Sequence, residues 1–405
     1  MIEKFIEIHI SLIKEARKLT FRRYLYNNID WNNRLIGIIG ARGVGKTTLL
    51  LQYCIEYFDN PEDGLYLSAD NINIASKGLY NLAEEFFNFG GKVLLIDEVQ
   101  KYPNWQQELK NLYDSFPSKK VIFSGSSSIN ILKGKSDLSR RVIFYKLKGL
   151  SFREFLLLHT GKSFEKLKME EILTNHVKIA GDISNEIPIL RYYNEYLKFG
   201  YYPFFKEGIN TFYGKLDNVV DKIFYEDIPL LFNVKPDSIY NLKKLFYLVA
   251  TSQPFTPNIS RLSSQLGISK EYIYIYIDEL EKAGLFNLLY SNTTGFNLLR
   301  KPQKIYLENV NLFTLIEKEK GFGVEKGSTR ETFFLNQVSE VVRLFFPDKT
   351  DFMDNTGRYF EVGGKGKTDK VKNIESTSKN HFTICDDINI GFKNKIPLWV
   401  FGFLY

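Results

Sequence analysis

Gly40-Ala-Arg-Gly-Val-Gly-Lys-Thr47 fits the spacing G-x-x-x-x-G-K-[ST], and residue types in that order hold phosphate. Gly43 and Gly45 let the main chain curl, so that N–H groups from Gly40, Ala41, Arg42, Gly43, Val44 and Gly45 surround phosphate oxygens. The helix that starts at Thr47 and Thr48 adds its N-terminal dipole. Lys46 is expected to reach the β and γ phosphates, and Thr47 to ligate Mg²⁺. Fifty residues on, the apolar run Val93-Leu-Leu-Ile96 delivers Asp97 and Glu98 at its C-terminal end, a Walker B arrangement. Asp97 would hold the Mg²⁺ and Glu98 would polarise the attacking water as a general base, which makes hydrolysis of a nucleoside triphosphate the expected chemistry. A further apolar run from Lys120 ends in Ser124-Gly-Ser-Ser-Ser128, where Ser126 and Ser127 are candidates to touch the γ-phosphate or the water. Arg140 and Arg141 precede the next apolar run, where one of them could reach a neighbouring subunit's nucleotide; the sequence does not choose between them.

These groups need a scaffold that brings loop ends together. From residue 34 to 147 short apolar runs alternate with helical patterns: 34–39, 65–67, 93–96, 121–123 and 142–147. That rhythm predicts a parallel α/β sheet. Phe5, Ile8, Leu12 and Ile13 predict an amphipathic N-terminal helix packed against this domain, with the basic stretch Lys14 to Arg23 following it. Residues 151 to 246 read as long aromatic-rich helices. Between 254 and 307 a short helix, the turn Leu266-Gly-Ile-Ser269, a longer helix and two strand candidates make a helix-turn-helix with a β wing. The alternation Tyr272 to Ile277 is read as helix, because Ser269 can cap it, Ile273, Ile277 and Leu280 share a face, and Gly284 can close it. Residues 330 to 405 return to mixed helix and strand, with Asn355-Thr-Gly357 as a hairpin turn and Ile396 to Tyr405 as a buried terminal strand.

The chain of 405 residues is long enough for two or three domains, and 44% hydrophobic with 25% charged residues excludes wholesale disorder. A net charge of +7 permits nucleic-acid binding without demanding it. Cys54 and Cys385 stand alone, which excludes a disulfide framework and a cysteine-based zinc site. No run of about 18 apolar residues occurs and the N-terminus does not read as a signal peptide, so a cytoplasmic protein is expected.

The stretches Arg34 to Thr48, Leu95-Ile-Asp-Glu-Val-Gln100, Ser124-Gly-Ser-Ser127, Leu150-Ser-Phe-Arg-Glu-Phe155 and Gly200-Tyr-Tyr-Pro203 resemble the AAA+ ATPases of bacteria and archaea that carry a C-terminal domain of unknown function. The resemblance covers most of residues 20 to 400. It implies an α/β fold with a P-loop AAA+ core, a helical lid, a winged-helix domain and a C-terminal nuclease-like α/β domain. On that reading residues 1–30 form a helical arm, 31–150 the ATPase core, 151–235 the lid, 236–325 the winged helix and 326–405 the terminal domain. The preference for ATP over other nucleotides is likewise implied by the resemblance. One departure is that residues 151 to 235 offer no evident second sensor arginine.

The partner is less legible. A DNA-reading second helix should present basic residues, yet residues 269 to 284 carry Lys270 and Lys282 against Glu271, Asp278, Glu279 and Glu281. Phosphate repulsion there leaves the wing, the basic N-terminal stretch or a protein partner. A metal-dependent nuclease needs clustered carboxylates and a lysine. Asp351 and Glu361 flank the predicted hairpin turn, with Glu331 or Glu340 before them, but Glu361-Val-Gly363 lacks the lysine and the nearest are Lys365 and Lys367. The sequence thus leads to an ATPase working on DNA or a protein, or to a nucleotide-dependent switch with little turnover that could bind DNA or keep residual nuclease activity; AAA+ relatives often form rings, and the sequence does not decide whether this chain forms oligomers.

Overall fold

The computed structural model describes residues 2–126, 137–232, 236–252, 255–292, 301–347, 349–366 and 380–405. They form two compact units, Met1–Gly149 and Leu150–Tyr405.

The first unit runs α1 (Ile2–Ala16), β1 (Leu35–Ile39), α2 (Lys46–Tyr57), β2 (Gly64–Ser68), α3 (Ile72–Lys77), α4 (Leu79–Asn88), β3 (Val93–Asp97), α5 (Trp105–Ser115), β4 (Lys120–Gly125) and β5 (Ile143–Lys146). All five strands pair in parallel in the order β2-β3-β4-β1-β5. Every residue of β1 and β3 is buried. Unbroken Leu/Ile/Val runs are what a parallel sheet covered on both faces requires, as in β1 and β3, whereas the edge strand β5 is partly exposed; all five predicted strands are found where expected. Because β4 lies between β1 and β3, three strand ends meet at one edge. Register sets Ile39 beside Gly125 and Ser68 beside Asp97.

The buried face of α1 differs from the one expected. Ile2, Phe5, His9, Ile13 and Ala16 point inward, while Ile8 is exposed. His9 is accommodated because its Nε2 meets the Pro61 carbonyl oxygen at 2.9 Å, so a polar side chain completes an apolar stripe.

The second unit begins with α6 (Phe152–Thr160), α7 (Met169–Glu186), α8 (Ile189–Glu195), α9 (Ile209–Lys222), α10 (Ile228–Phe232) and α11 (Pro236–Ala250), the strand-free stretch that its sequence predicts. Leu150-Ser-Phe-Arg-Glu-Phe155 folds as a capping box. The Ser151 hydroxyl accepts from the Glu154 amide at 3.1 Å and the Glu154 carboxylate accepts from the Ser151 amide at 3.1 Å, while Phe152 and Phe155 are buried. A π-helical turn, Tyr196–Gly200, follows α8. Such turns strand carbonyls, and here the buried Asn311 answers them: its Nδ2 donates to the Tyr196 and Leu197 carbonyls at 3.0 Å each, and its Oδ1 accepts from the Tyr201 amide at 2.8 Å. The Tyr201 hydroxyl donates to Glu308 at 2.9 Å, and Asn309 donates to the Tyr202 hydroxyl at 3.0 Å. The tyrosine pair of Gly200-Tyr-Tyr-Pro203 therefore holds the fold together.

Then come α12 (Ile259–Leu266), α13 (Lys270–Lys282), β6 (Phe286–Leu289), β7 (Lys304–Leu307), α14 (Val310–Lys320), α15 (Lys326–Val338), β8 (Leu344–Phe345), β9 (Phe352–Asp354), β10 (Tyr359–Gly363), β11 (His381–Cys385) and β12 (Lys395–Pro397). The tyrosine-isoleucine alternation is helical, with Ser269 as N-cap and Ile273, Ile277 and Leu280 buried. β6 and β7 pair antiparallel; the expected turn at Gly295 lies outside the described residues. The last five strands form one sheet, β12-β11-β10-β9-β8, in which β9 and β10 are joined by the predicted turn with Gly357 at φ +81°. The chain end departs from expectation. Only Lys395–Pro397 is strand, and Leu398–Phe403 is a buried 3₁₀ helix. Pro397 has no N–H to carry the ladder onward, so the strand stops there while the apolar residues stay in the core.

Candidate functional site

The edge where β1, β3 and β4 end gathers the motif residues. Gly40 leaves β1 so close to the Leu147 carbonyl that a Cβ would lie 2.2 Å from its oxygen, so only glycine passes. Gly43 and Gly45 take φ +77° and +99°, the left-handed region that curls the loop ahead of α2. Val44 is fully buried beneath the loop, and Thr48 lies in the first turn of α2, half-buried. Lys46 is buried too, its ammonium donating to the Gly40 and Ala41 carbonyls at 3.0 and 2.9 Å. Those bonds keep the charge inside the loop.

Asp97 is the hub. Its Oδ2 accepts from the Thr47 hydroxyl at 2.6 Å and the Tyr66 hydroxyl at 2.9 Å, and its Oδ1 accepts from the Ser124 hydroxyl. Burial, then the Asp97 charge, pushes the Tyr66 phenol well above its ordinary range, so Tyr66 remains a donor. Ser124 also accepts from the Glu98 amide at 3.2 Å, tying the two carboxylate residues to β4. Glu98 sits at φ 53°, ψ 43°, an uncommon conformation for a residue with a side chain. Its Oε2 accepts from Gln100 Nε2 at 2.7 Å and pairs with the Arg42 guanidinium at 3.5 Å. Ser126 is buried, and its hydroxyl has no hydrogen-bond partner among the described residues; Ser127 lies outside them.

Thr47 and Asp97 present oxygen ligands suited to a hard cation. Among the described residues no group of three or more His, Cys, Asp or Glu could hold a metal alone.

Sequence reasoning missed Tyr66, Ser124 and Arg23. Tyr66 belongs to the strand beside β3, and only the register Ser68 against Asp97 signals its reach. The buried Arg23 guanidinium donates to the Val44 carbonyl and to the Lys148 and Gly149 carbonyls at 2.7 and 2.8 Å, bracing the loop from behind. Arg141 is held in its own chain by two bonds to Asp114, at 2.9 and 3.0 Å, and Arg140 is exposed.

The carboxylates of the terminal region meet a lysine, but from an unexpected element. Lys304 of β7 lies 3.0 Å from Glu331 and 3.4 Å from Asp351. The Tyr306 hydroxyl also donates to Glu331 at 2.7 Å, and Asp351 accepts from the Val362 amide at 2.9 Å. Burial raises the Glu331 carboxyl, the Asp351 charge raises it further, and Lys304 opposes both. Glu340 instead lines an open groove of about 480 Å³ beside β6 and β8. Lys365 is exposed and Lys367 lies outside the described residues.

Residues 32–156 match a family profile described as an AAA domain, and residues 190–319 match one described as a domain of unknown function (DUF8612). Two uncharacterized proteins of Methanocaldococcus jannaschii, MJ1637 and MJ1544, are each 28% identical, over 75% and 64% of this chain and 66% and 56% of their own. An uncharacterized protein of Haemophilus influenzae is 29% identical over 62% of this chain and 60% of its own. The chain thus spans under two thirds of the length of these curated relatives. Among solved structures, AMPPCP-bound DnaA from Aquifex aeolicus shares 17% identity over 69% of this chain and 88% of that one, with a TM-score of 0.28. The S. cerevisiae Hsp104–ADP complex shares 15% identity over 67% and 38%, with a TM-score of 0.27. The first unit is thus an α/β domain with a five-stranded parallel sheet, and its phosphate-binding loop falls within the residues that match the AAA profile.

Proposed function

We propose that the chain is an AAA+ ATPase that binds ATP with Mg²⁺ at the β1–β3–β4 edge and couples hydrolysis to movement of its C-terminal elements on a partner. The observation that carries this reading is the 2.6 Å contact between Thr47 and Asp97, residues 50 positions apart that a nucleotide-bound cation would share. Lys46 would exchange its two carbonyl partners for phosphate oxygens, which offer a charge in place of two dipoles. Mg²⁺, held by Thr47 and Asp97, would neutralise charge on the phosphates. Glu98 would orient a water. The water oxygen then bonds to the γ-phosphorus, the bond to the β–γ bridging oxygen breaks, the water's proton passes to Glu98, and ADP and phosphate leave. Ser126 is suited to meet the γ-phosphate, because a buried hydroxyl without a partner gains most from a ligand that supplies one.

In this reading residues 151–235 act as the lid, 236–325 as a winged helix and 326–405 as a nuclease-like domain retained for binding. The partner is a protein. α13 exposes Tyr272, Tyr274 and Ile275 alongside Glu271, a surface of protein-interface composition that would repel phosphate. Lys304 is paired with both Glu331 and Asp351, so a cation would have to displace its ammonium there, and this cluster is read as holding the domain rather than cutting DNA. Either arginine of the Arg140–Arg141 pair would act in trans only in an oligomer, and Arg141 would first have to leave Asp114. A switch with slow turnover is a second reading, favoured by the two donors that engage Glu98.

Equilibrium binding of ATP with and without Mg²⁺ tests the assignment. Wild-type protein should bind, and Lys46→Ala should weaken binding at least 10-fold. Equal affinity in the two proteins would overturn it.

A further inference from the structure

We propose that Arg42 is a switchable cation within the phosphate-binding loop: without triphosphate it holds Glu98, and a γ-phosphate draws it away and frees that carboxylate for water. The inference rests on the nucleotide-binding reading above and adds a role that the loop's spacing does not contain.

Three features of the site support it. Arg42 stands between Ala41 and Gly43, in the bend that phosphate would occupy, and its guanidinium reaches Glu98 Oε2 at 3.5 Å. That separation is within ion-pair range, and both side chains are mostly shielded, at 15% and 21% exposure. The pair is therefore strong enough to set a resting position and loose enough to exchange. Second, the same Oε2 accepts from Gln100 at 2.7 Å, so this oxygen faces two donors and is turned away from a water while both remain. Third, the Glu98 backbone is fixed in its strained conformation by the bond from its amide to Ser124. Exchange of partners thus moves side chains and leaves the strand end in place.

The competition has a definite direction. A terminal phosphate carries more negative charge than one carboxylate and offers three oxygens to a planar guanidinium, so it outbids Glu98; ADP lacks that group. The loop would then distinguish triphosphate from diphosphate through Arg42.

Calorimetric titration of the full chain with Mg²⁺·AMPPCP and with Mg²⁺·ADP tests this. Arg42→Ala should unfold in urea at the wild-type midpoint, which reports an intact fold, and lower the preference for AMPPCP over ADP by roughly 10-fold; Arg42→Lys should restore much of it. Glu98→Gln should raise AMPPCP affinity, and that gain should vanish when Arg42→Ala is added. An unchanged preference in Arg42→Ala, or a Glu98→Gln gain that persists without Arg42, would overturn the proposal, the latter by pointing to plain charge repulsion. If Lys46→Ala alters neither titration, the nucleotide site itself is wrong and both readings fall.

Discussion

Asp97 is held by three hydroxyls from three elements, Thr47 of α2, Tyr66 of β2 and Ser124 of β4. Each bond satisfies part of a buried charge, and each orients the oxygen that a cation would use. Tyr66→Phe removes one donor while keeping the ring. We expect a loss of about 1 kcal/mol in stability and a 3- to 10-fold rise in the Mg²⁺ concentration that half-saturates nucleotide binding. A titration of MgCl₂ against a fixed nucleotide concentration measures it, and superimposable curves for Tyr66→Phe and wild type would contradict the role. The contrast with the loop explains what could be read in advance. A phosphate cradle needs neighbours in sequence, so Gly40 to Thr47 announces itself; Tyr66 contacts Asp97 across 31 positions, and nothing but strand register brings them together.

Elements were legible where one principle dominated and obscure where two competed. The five strands of the first sheet follow from unbroken apolar runs, and α13 follows from its cap and its inward face. The face of α1 did not, because a hydrogen-bonded His9 replaced an expected isoleucine, and the chain end did not, because Pro397 outweighed the apolar pattern. Two predictions belong here. Asn311→Ala would take a donor from the Tyr196 and Leu197 carbonyls and an acceptor from the Tyr201 amide in a buried turn, at a cost of about 2–4 kcal/mol in urea unfolding; a change under about 0.5 kcal/mol would show that the π turn does not depend on it. Glu279 on α13 is buried, its Oε2 lacks a partner among the described residues, and burial, then Asp278, pushes its carboxyl from 4.5 up to about 7. With the folded value above the unfolded one, its contribution is complete below pH 4.5 and is lost as pH rises toward 7. Glu279→Gln should therefore gain about 1–3 kcal/mol relative to wild type at pH 8 and little at pH 4.5, read from urea midpoints. A variant less stable than wild type at pH 8 would contradict this.

At the scale of the whole molecule, the chain divides into two units, and the phosphate-binding motif and the Asp97–Glu98 pair lie in the first. No helix among the described residues is long and apolar enough to cross a membrane. The second unit places a lysine against two carboxylates and leaves tyrosines exposed on α13. Its partner could not be read from the sequence, since exposure of a helix face depends on packing that periodicity alone does not settle. If a protein is the partner, ATP turnover should change by less than about 2-fold when duplex or single-stranded DNA is added, whereas strong stimulation would restore DNA to the account. The central claim, hydrolysis at Lys46, Thr47, Asp97 and Glu98, is tested most directly by steady-state release of phosphate from Mg²⁺·ATP. The account predicts turnover by the wild-type chain, none above background in Lys46→Ala, and retained binding with turnover reduced at least 100-fold in Glu98→Gln. Wild-type rates in either variant would contradict it.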